Sequence, residues 1–132
     1  MFTIDQGYYA AYNFLARYWK DIDRKRTYLP NDSFTLATVI STMQPQSIDD
    51  PRSIDPAKYY DWKNVIATLF PDKIEFTEKE IFEAAVRFLE FYRDEFEFNL
   101  AEVLAGMQSD QTQAIWQQTV GETRTLIAGN TK

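Results

Sequence analysis

The sequence predicts an all-α, single-domain bundle of about six helices, built as two similar three-helix repeats over residues 2–70 and 76–128 of the 132-residue chain. Three observations carry this reading. Gly and Pro number only four and five, too few turn-formers for the many reversals of a β-sandwich or barrel. Apolar residues recur at helical spacing over long segments, and those segments return once, in order, further along the chain. With 45 % hydrophobic residues, 10 Phe, 8 Tyr and 3 Trp, the chain has the material for one core, and a chain of this length buries roughly two thirds of its unfolded surface. No sheet is expected.

The first segment of each copy is the clearest. Aligning residues 2–18 with 76–92 at an offset of 74 gives identity at seven of 17 positions: Phe2/Phe76, Thr3/Thr77, Ala10/Ala84, Ala11/Ala85, Phe14/Phe88, Leu15/Leu89 and Tyr18/Tyr92. Thr3 with Gln6, and Thr77 with Glu80, fit a capping box, in which N-cap and N3 side chains satisfy each other's backbone N–H groups. Phe76 can staple onto Ile81 at N4, whereas Phe2 finds Gly7 there and lacks that partner. Tyr8, Ala11, Phe14, Leu15, Tyr18 and Trp19 then recur at three and four, as do Ile81, Ala85, Phe88, Leu89, Tyr92 and Phe96, which predicts two amphipathic helices of four to five turns.

The second segment is shorter. Leu36, Val39, Ile40 and Met43 match Leu100, Val103, Leu104 and Met107 at an offset of 64, with Asp32 or Ser33 available to cap the first copy. The third opens with Asp55-Pro56, an N-cap followed by a proline where its missing N–H costs nothing, and should run to about Phe70, before Pro71. Its counterpart starts at Asp110 and is expected to end at Gly129, with Trp62 facing Trp116 and Ile66 facing Val120 at an offset of 54. The first copy carries ten more residues in each of its two loops. The aromatic residues of both copies, Trp62 and Trp116 included, are expected in one shared core.

Cys and His are both absent, which removes disulfides, the usual zinc ligand sets, Cys nucleophiles, Ser-His dyads and imidazole acid–base chemistry. The chain is therefore read as a non-enzyme, with no catalytic residue, cofactor or metal ligand assigned. No apolar run approaches the roughly 18 residues of a membrane span, and Met1-Phe2-Thr3-Ile4-Asp5 lacks the basic start and apolar stretch of a signal peptide, so a cytoplasmic protein is expected. A net charge of −6 opposes phosphate backbones and anionic lipid, making direct binding of nucleic acid or membrane unfavourable and a basic protein the better partner.

That charge is unevenly placed. Residues 1–71 hold eight acids and eight bases, whereas residues 72–110 hold 11 acids and four bases. Within the second copy, Glu83, Arg87, Glu90 and Asp94 share the helix face opposite Phe88 and Tyr92, Glu97 extends it into the loop, and Glu102 follows on the next helix. Glu90 and Asp94 repel at i, i+4, a face that suits a cationic partner. Glu83, Glu90, Asp94, Glu97 and Glu102 are accordingly the candidate partner-binding residues.

Other constellations carry less. No pair of carboxylates is placed at a sheltered cleft as a glycosidase requires, and the Glu-x-x-His motif of di-metal bundles is missing. Asp49, Asp50 and Asp55 lack the spacing of a calcium loop and read as capping and turn residues. Arg24-Lys25-Arg26, flanked by Asp21 and Asp23, reads as a solvated loop.

The order Ala-Ala-x-x-Phe-Leu-x-x-Tyr over residues 10–18, then Phe34, Leu36, Val39, Ile40 and Met43, then Asp55-Pro56-Ala57 leading to Asp61-Trp62, resembles the small helical immunity proteins of bacterial polymorphic-toxin systems, including contact-dependent growth inhibition. The resemblance covers residues 8–69, with a partial echo over 77–120 that lacks the Asp-Pro. It rests on packing positions and implies a cytoplasmic protein that binds and neutralises one cognate toxin domain. An acidic chain fits a basic nuclease as that toxin, since its surface would be steered into a positive cleft. A helical adaptor joining partners of a larger assembly is the competing class, and the oligomeric state is left open.

Overall fold

The computed structural model describes residues 1–26, 34–48, 50–53 and 55–130. The described elements are α1 (Ile4–Asp21), a 3-10 turn (Asp23–Lys25), α2 (Leu36–Met43), β1 (Pro45–Ser47), β2 (Asp50–Ser53), α3 (Pro56–Leu69), α4 (Glu78–Phe96), α5 (Ala101–Ala105) and α6 (Asp110–Asn130). Among the described residues the molecule is an all-α bundle of six helices with one small two-stranded sheet.

The helix starts follow local chemistry. Gln6 N–H donates to Thr3 Oγ1 at 3.1 Å while Thr3 N–H donates to Gln6 Oε1 at 3.0 Å, and Thr77 with Glu80 repeats this at 3.1 and 2.9 Å. Asp55 Oδ1 accepts from Ala57 N–H at 3.0 Å and Pro56 stands at the first turn of α3, which ends at Leu69 as Pro71 requires. Ser109 Oγ caps α6 by accepting from Thr112 N–H at 3.1 Å.

Two expectations, the loop after α2 and the end of α6, are corrected. Asp32, Ser33 and Asp49, read as cap and turn residues, lie outside the described residues; the N-cap of α2 is Thr35, whose N–H donates to Thr38 Oγ1 at 3.4 Å. After α2, where no sheet was expected, Pro45–Ser47 and Asp50–Ser53 pair as two antiparallel strands, Pro45 with Ser53 and Ser47 with Asp50. Pro45 ends α2 because it cannot continue the helical hydrogen bonding, and the strand pair stays peripheral, against α1 and α3. α6 continues one residue past Gly129, which keeps a negative φ rather than turning left-handed. α5 spans only five residues, because Gly106 N–H closes onto the carbonyls of Glu102 and Val103 and starts a turn.

Residues aligned by sequence meet in space. Phe2 and Phe76 exchange both backbone hydrogen bonds, at 2.7 and 2.8 Å, and Phe34 packs on Phe98 with ring centres 5.2 Å apart. Packing between the two segments is crossed: α1 lies mainly on α6, and α4 on α3. Trp62 therefore sits between Tyr8 (6.1 Å) and Phe88 (5.9 Å), while Trp116 sits between Phe82 (5.7 Å) and Phe14 (5.3 Å). Both Trp side chains, Phe14 and Phe88 are buried. Gly7, which looked in the sequence like a lost staple, leaves room for its aligned residue: a Cβ there would stand 2.5 Å from Ile81 Cδ1.

Candidate functional site

α4 buries Ile81, Phe82, Ala84, Ala85, Phe88, Leu89 and Tyr92, and this period leaves Glu83, Arg87 and Asp94 exposed. Glu90 is half-buried rather than exposed. The face has two flanks. Glu83 stands with Glu78 and Lys79 on a groove against α6, whereas Arg87 and Phe91 line a smaller cavity against Asp61, Val65 and Thr68 of α3. Glu97 closes α4 in the left-handed conformation at φ 58°, which a non-glycine residue adopts only against a steric penalty.

The charge balance is sharper in space than in sequence. Four of the acids in residues 72–110 are paired: Glu78 with Arg124 (3.1 Å), Glu80 with Lys73 (2.8 Å), Asp94 with Arg93 (2.8 Å) and Glu102 with Arg26 (3.5 Å). Asp72, Glu75, Glu83, Glu90, Glu95, Glu97 and Asp110 have no cationic nitrogen within 4.0 Å among the described residues. Hydrogen bonding from Arg93 holds the Asp94 carboxyl below the usual carboxylate range, and Lys73 with the Thr77 N–H does the same for Glu80. Of the five sequence candidates, Glu83, Glu90 and Glu97 are thus unpaired, Asp94 is tied within its own helix and Glu102 reaches across to Arg26.

Arg26 is the correction to the basic triplet. It is half-buried, not solvated: its guanidinium donates to buried Asp23 at 2.8 Å and to the Tyr18 hydroxyl at 3.0 Å, besides facing Glu102. Burial works against its charge, but the bonds to Tyr18 and Asp23 outweigh that and hold it above the ordinary arginine range. Arg26 thereby ties the end of α1 to α5.

Phe96, placed by its spacing on the apolar face of α4, is exposed instead and belongs to an aromatic patch at the end of that helix. Phe96, 54 % exposed, stacks on Tyr92 at 5.6 Å and 29°, and Phe98 bridges Tyr92 (5.5 Å) to Phe34, itself 57 % exposed. The signal was present as Phe96 and Phe98 interleaved with Glu95 and Glu97. Exposed aromatic rings among unpaired carboxylates have the composition of a protein interface, an apolar centre within a polar rim.

The phenols nearest to this surface are structural ties. Tyr92 donates to Asp61 Oδ2 and Tyr59 to Asp5, and burial together with those carboxylates pushes both phenols well above the usual tyrosine range. They stay protonated at neutral pH and join α4 to α3 and α3 to α1. Lys58 is buried between the Tyr92 ring, 4.8 Å from its Nζ, and Asp55 at 3.5 Å. Among the described residues no group of three or more Asp or Glu is placed to hold a metal ion, and no helix is long and apolar enough to cross a membrane. No protein family, curated protein or solved structure matches the chain.

Proposed function

We propose that the protein is an immunity protein, which binds a cognate toxin domain, a basic nuclease, and covers its cleft with the acidic surface of α4, the α4–α5 junction and α5. The observation that supports this most is the concentration of unpaired carboxylates in residues 72–110, with Glu83, Glu90, Glu95 and Glu97 on or beside α4 and exposed Phe96 and Phe34 at its end. Unpaired surface charge of one sign raises the rate of encounter with an oppositely charged partner, and the aromatic rings supply the area that slows dissociation. The sequence resemblance supplies the class of partner.

The test is co-purification and association with the product of the gene immediately upstream, which this reading expects to carry a basic toxin domain. Replacing Glu90, Asp94 and Glu97 together by Lys should slow association, flatten its dependence on ionic strength and abolish growth protection, and changing only the exposed Asp94 and Glu97 should weaken both with little change in melting temperature. A variant that binds and protects as well as the parent would remove the acidic face from the interface.

A further inference from the structure

The two aligned segments differ at one place where packing would have them alike. In the first, Tyr59 of α3 fills the space beside α1: its ring meets Tyr8 edge to face at 5.4 Å and 84°, its hydroxyl donates to Asp5, and Lys63 Nζ lies 5.0 Å from its ring centre. The alignment carries Tyr59 onto Gln113, Tyr8 onto Phe82, Asp5 onto Lys79 and Lys63 onto Gln117. Those four residues, with Trp116 and Glu83, line an open groove of about 420 Å³ between α4 and α6. A volume of this size falls within the range of small-ligand pockets.

The hydroxyl of Tyr8 is one part of the difference. Tyr8 donates to the Met43 carbonyl at 2.6 Å. Phe82 has no hydroxyl, and the carbonyl of Met107, aligned with Met43, accepts instead from Gln113 Nε2 at 3.2 Å. That bond holds Gln113 against the turn after α5, and among the described residues no ring takes the place that Tyr59 takes in the first segment.

We propose that the groove is a socket for a tyrosine side chain of a partner protein, seated as Tyr59 is seated. The incoming ring would lie against Phe82, 8 % exposed, with Trp116, 2 % exposed, behind it, an aromatic contact of the same kind as Tyr59 on Tyr8. The polar end is reversed: Tyr59 donates to a carboxylate, whereas the guest hydroxyl would accept from the Lys79 ammonium. Glu83, without an ion pair, selects a partner with a basic residue beside that tyrosine. The socket stands on groove geometry and not on the immunity reading, and the experiment uses no toxin, so the two fail separately.

The experiment is an NMR titration of the full chain with N-acetyl-tyrosinamide and, in parallel, N-acetyl-phenylalaninamide. The tyrosine probe should shift the Trp116 indole N–H saturably with half-saturation at about 1 mM, as expected of a ligand this small. The phenylalanine probe should bind at least about threefold more weakly, a difference that Lys79→Ala, at an exposed position, should erase. A variant with Lys79→Asp, Phe82→Tyr and Gln113→Tyr rebuilds the first segment's arrangement and should abolish the shift while raising the melting temperature. No saturable shift up to about 20 mM, or an unchanged titration in the folded rebuilt variant, overturns the socket. Equal binding of the two probes by the parent, or a preference that survives Lys79→Ala, overturns the contact with Lys79.

Discussion

Gly7 gives the most searching test of how the two segments fit together. It lies in the first turns of α1, buried, and a Cβ built on it would stand 2.5 Å from Ile81 Cδ1, 3.3 Å from Ile81 Cγ1 and 3.5 Å from Trp62 Cζ2. Two effects oppose each other in Gly7→Ala. Helix propensity favours alanine by about 1 kcal/mol. Overpacking a filled core costs about 1–3 kcal/mol. The terminal methyl of Ile81 could rotate away cheaply if it had space, but Ile81 is fully buried and the Trp62 ring closes the other side. Packing should therefore win, with a net loss of about 1 kcal/mol. In an Ile81→Ala background, itself destabilised by about 2–5 kcal/mol, the obstruction is gone and the same Gly7→Ala change should stabilise by about 1 kcal/mol. Urea unfolding of the parent, both single variants and the double variant gives the cycle, with a coupling of about 2 kcal/mol expected. If Gly7→Ala stabilises the parent, or has the same effect in both backgrounds, the glycine is not there to admit Ile81.

Phe14→Ala and Phe88→Ala should each cost about 3–5 kcal/mol in chemical unfolding, because each ring is buried against the Trp of the other segment; losses below about 1 kcal/mol at both sites would place them outside the core. Glu97→Gly should raise stability by about 0.5–1 kcal/mol by relieving the left-handed backbone at the end of α4, and a fall in melting temperature would refute that strain. Tyr59 and Tyr92 have phenols held above the unfolded-state value, so the folded chain keeps protons that the unfolded chain releases. Their stabilisation is intact below about pH 10 and is lost as pH rises beyond it, by about 1.4 kcal/mol per pH unit for each phenol. Tyr92→Phe should lower the steepness of that alkaline decline by one phenol's share in unfolding measured from pH 9 to 11.5, and an unchanged slope would refute the shift.

The helices were legible because their signals are local. Thr3, Thr77 and Asp55-Pro56 act on backbone groups two or three residues away, and Pro71 limits the residue just before it, so each can be read without knowing what lies across the core. What escaped depends on distant partners. The strand pair after α2 has no apolar alternation to announce it, and it forms in a span that Pro45 had already removed from α2. Arg26 reads as part of a basic loop until α1 and α5 bring Tyr18 and Glu102 to it. Gly7 reads as a defect until Ile81 appears beside it. The acidic set was visible as composition, but which of its members are unpaired, and that Phe34 and Phe96 stand exposed among them, required the three-dimensional arrangement.

The alignment also separates what packing needs from what it leaves free. Interior positions agree between the two segments: Phe14 with Phe88, Leu15 with Leu89, Trp62 with Trp116, all buried. The candidate acids fall where the segments disagree, since Glu83, Glu90 and Asp94 align with Tyr9, Ala16 and Lys20. The first segment forms the same helix with no net charge, so the fold does not require carboxylates at these positions. Arg93 compensates the charge of Asp94, but Glu90 and Glu97 carry theirs without an ion pair among the described residues, and Glu97 does so on a strained backbone. At Glu97 a local backbone preference is overridden by a charged residue that is itself exposed. Such a conflict between local rule and sequence is what a surface shaped by a partner would leave behind, and the same segment carries the exposed Phe96.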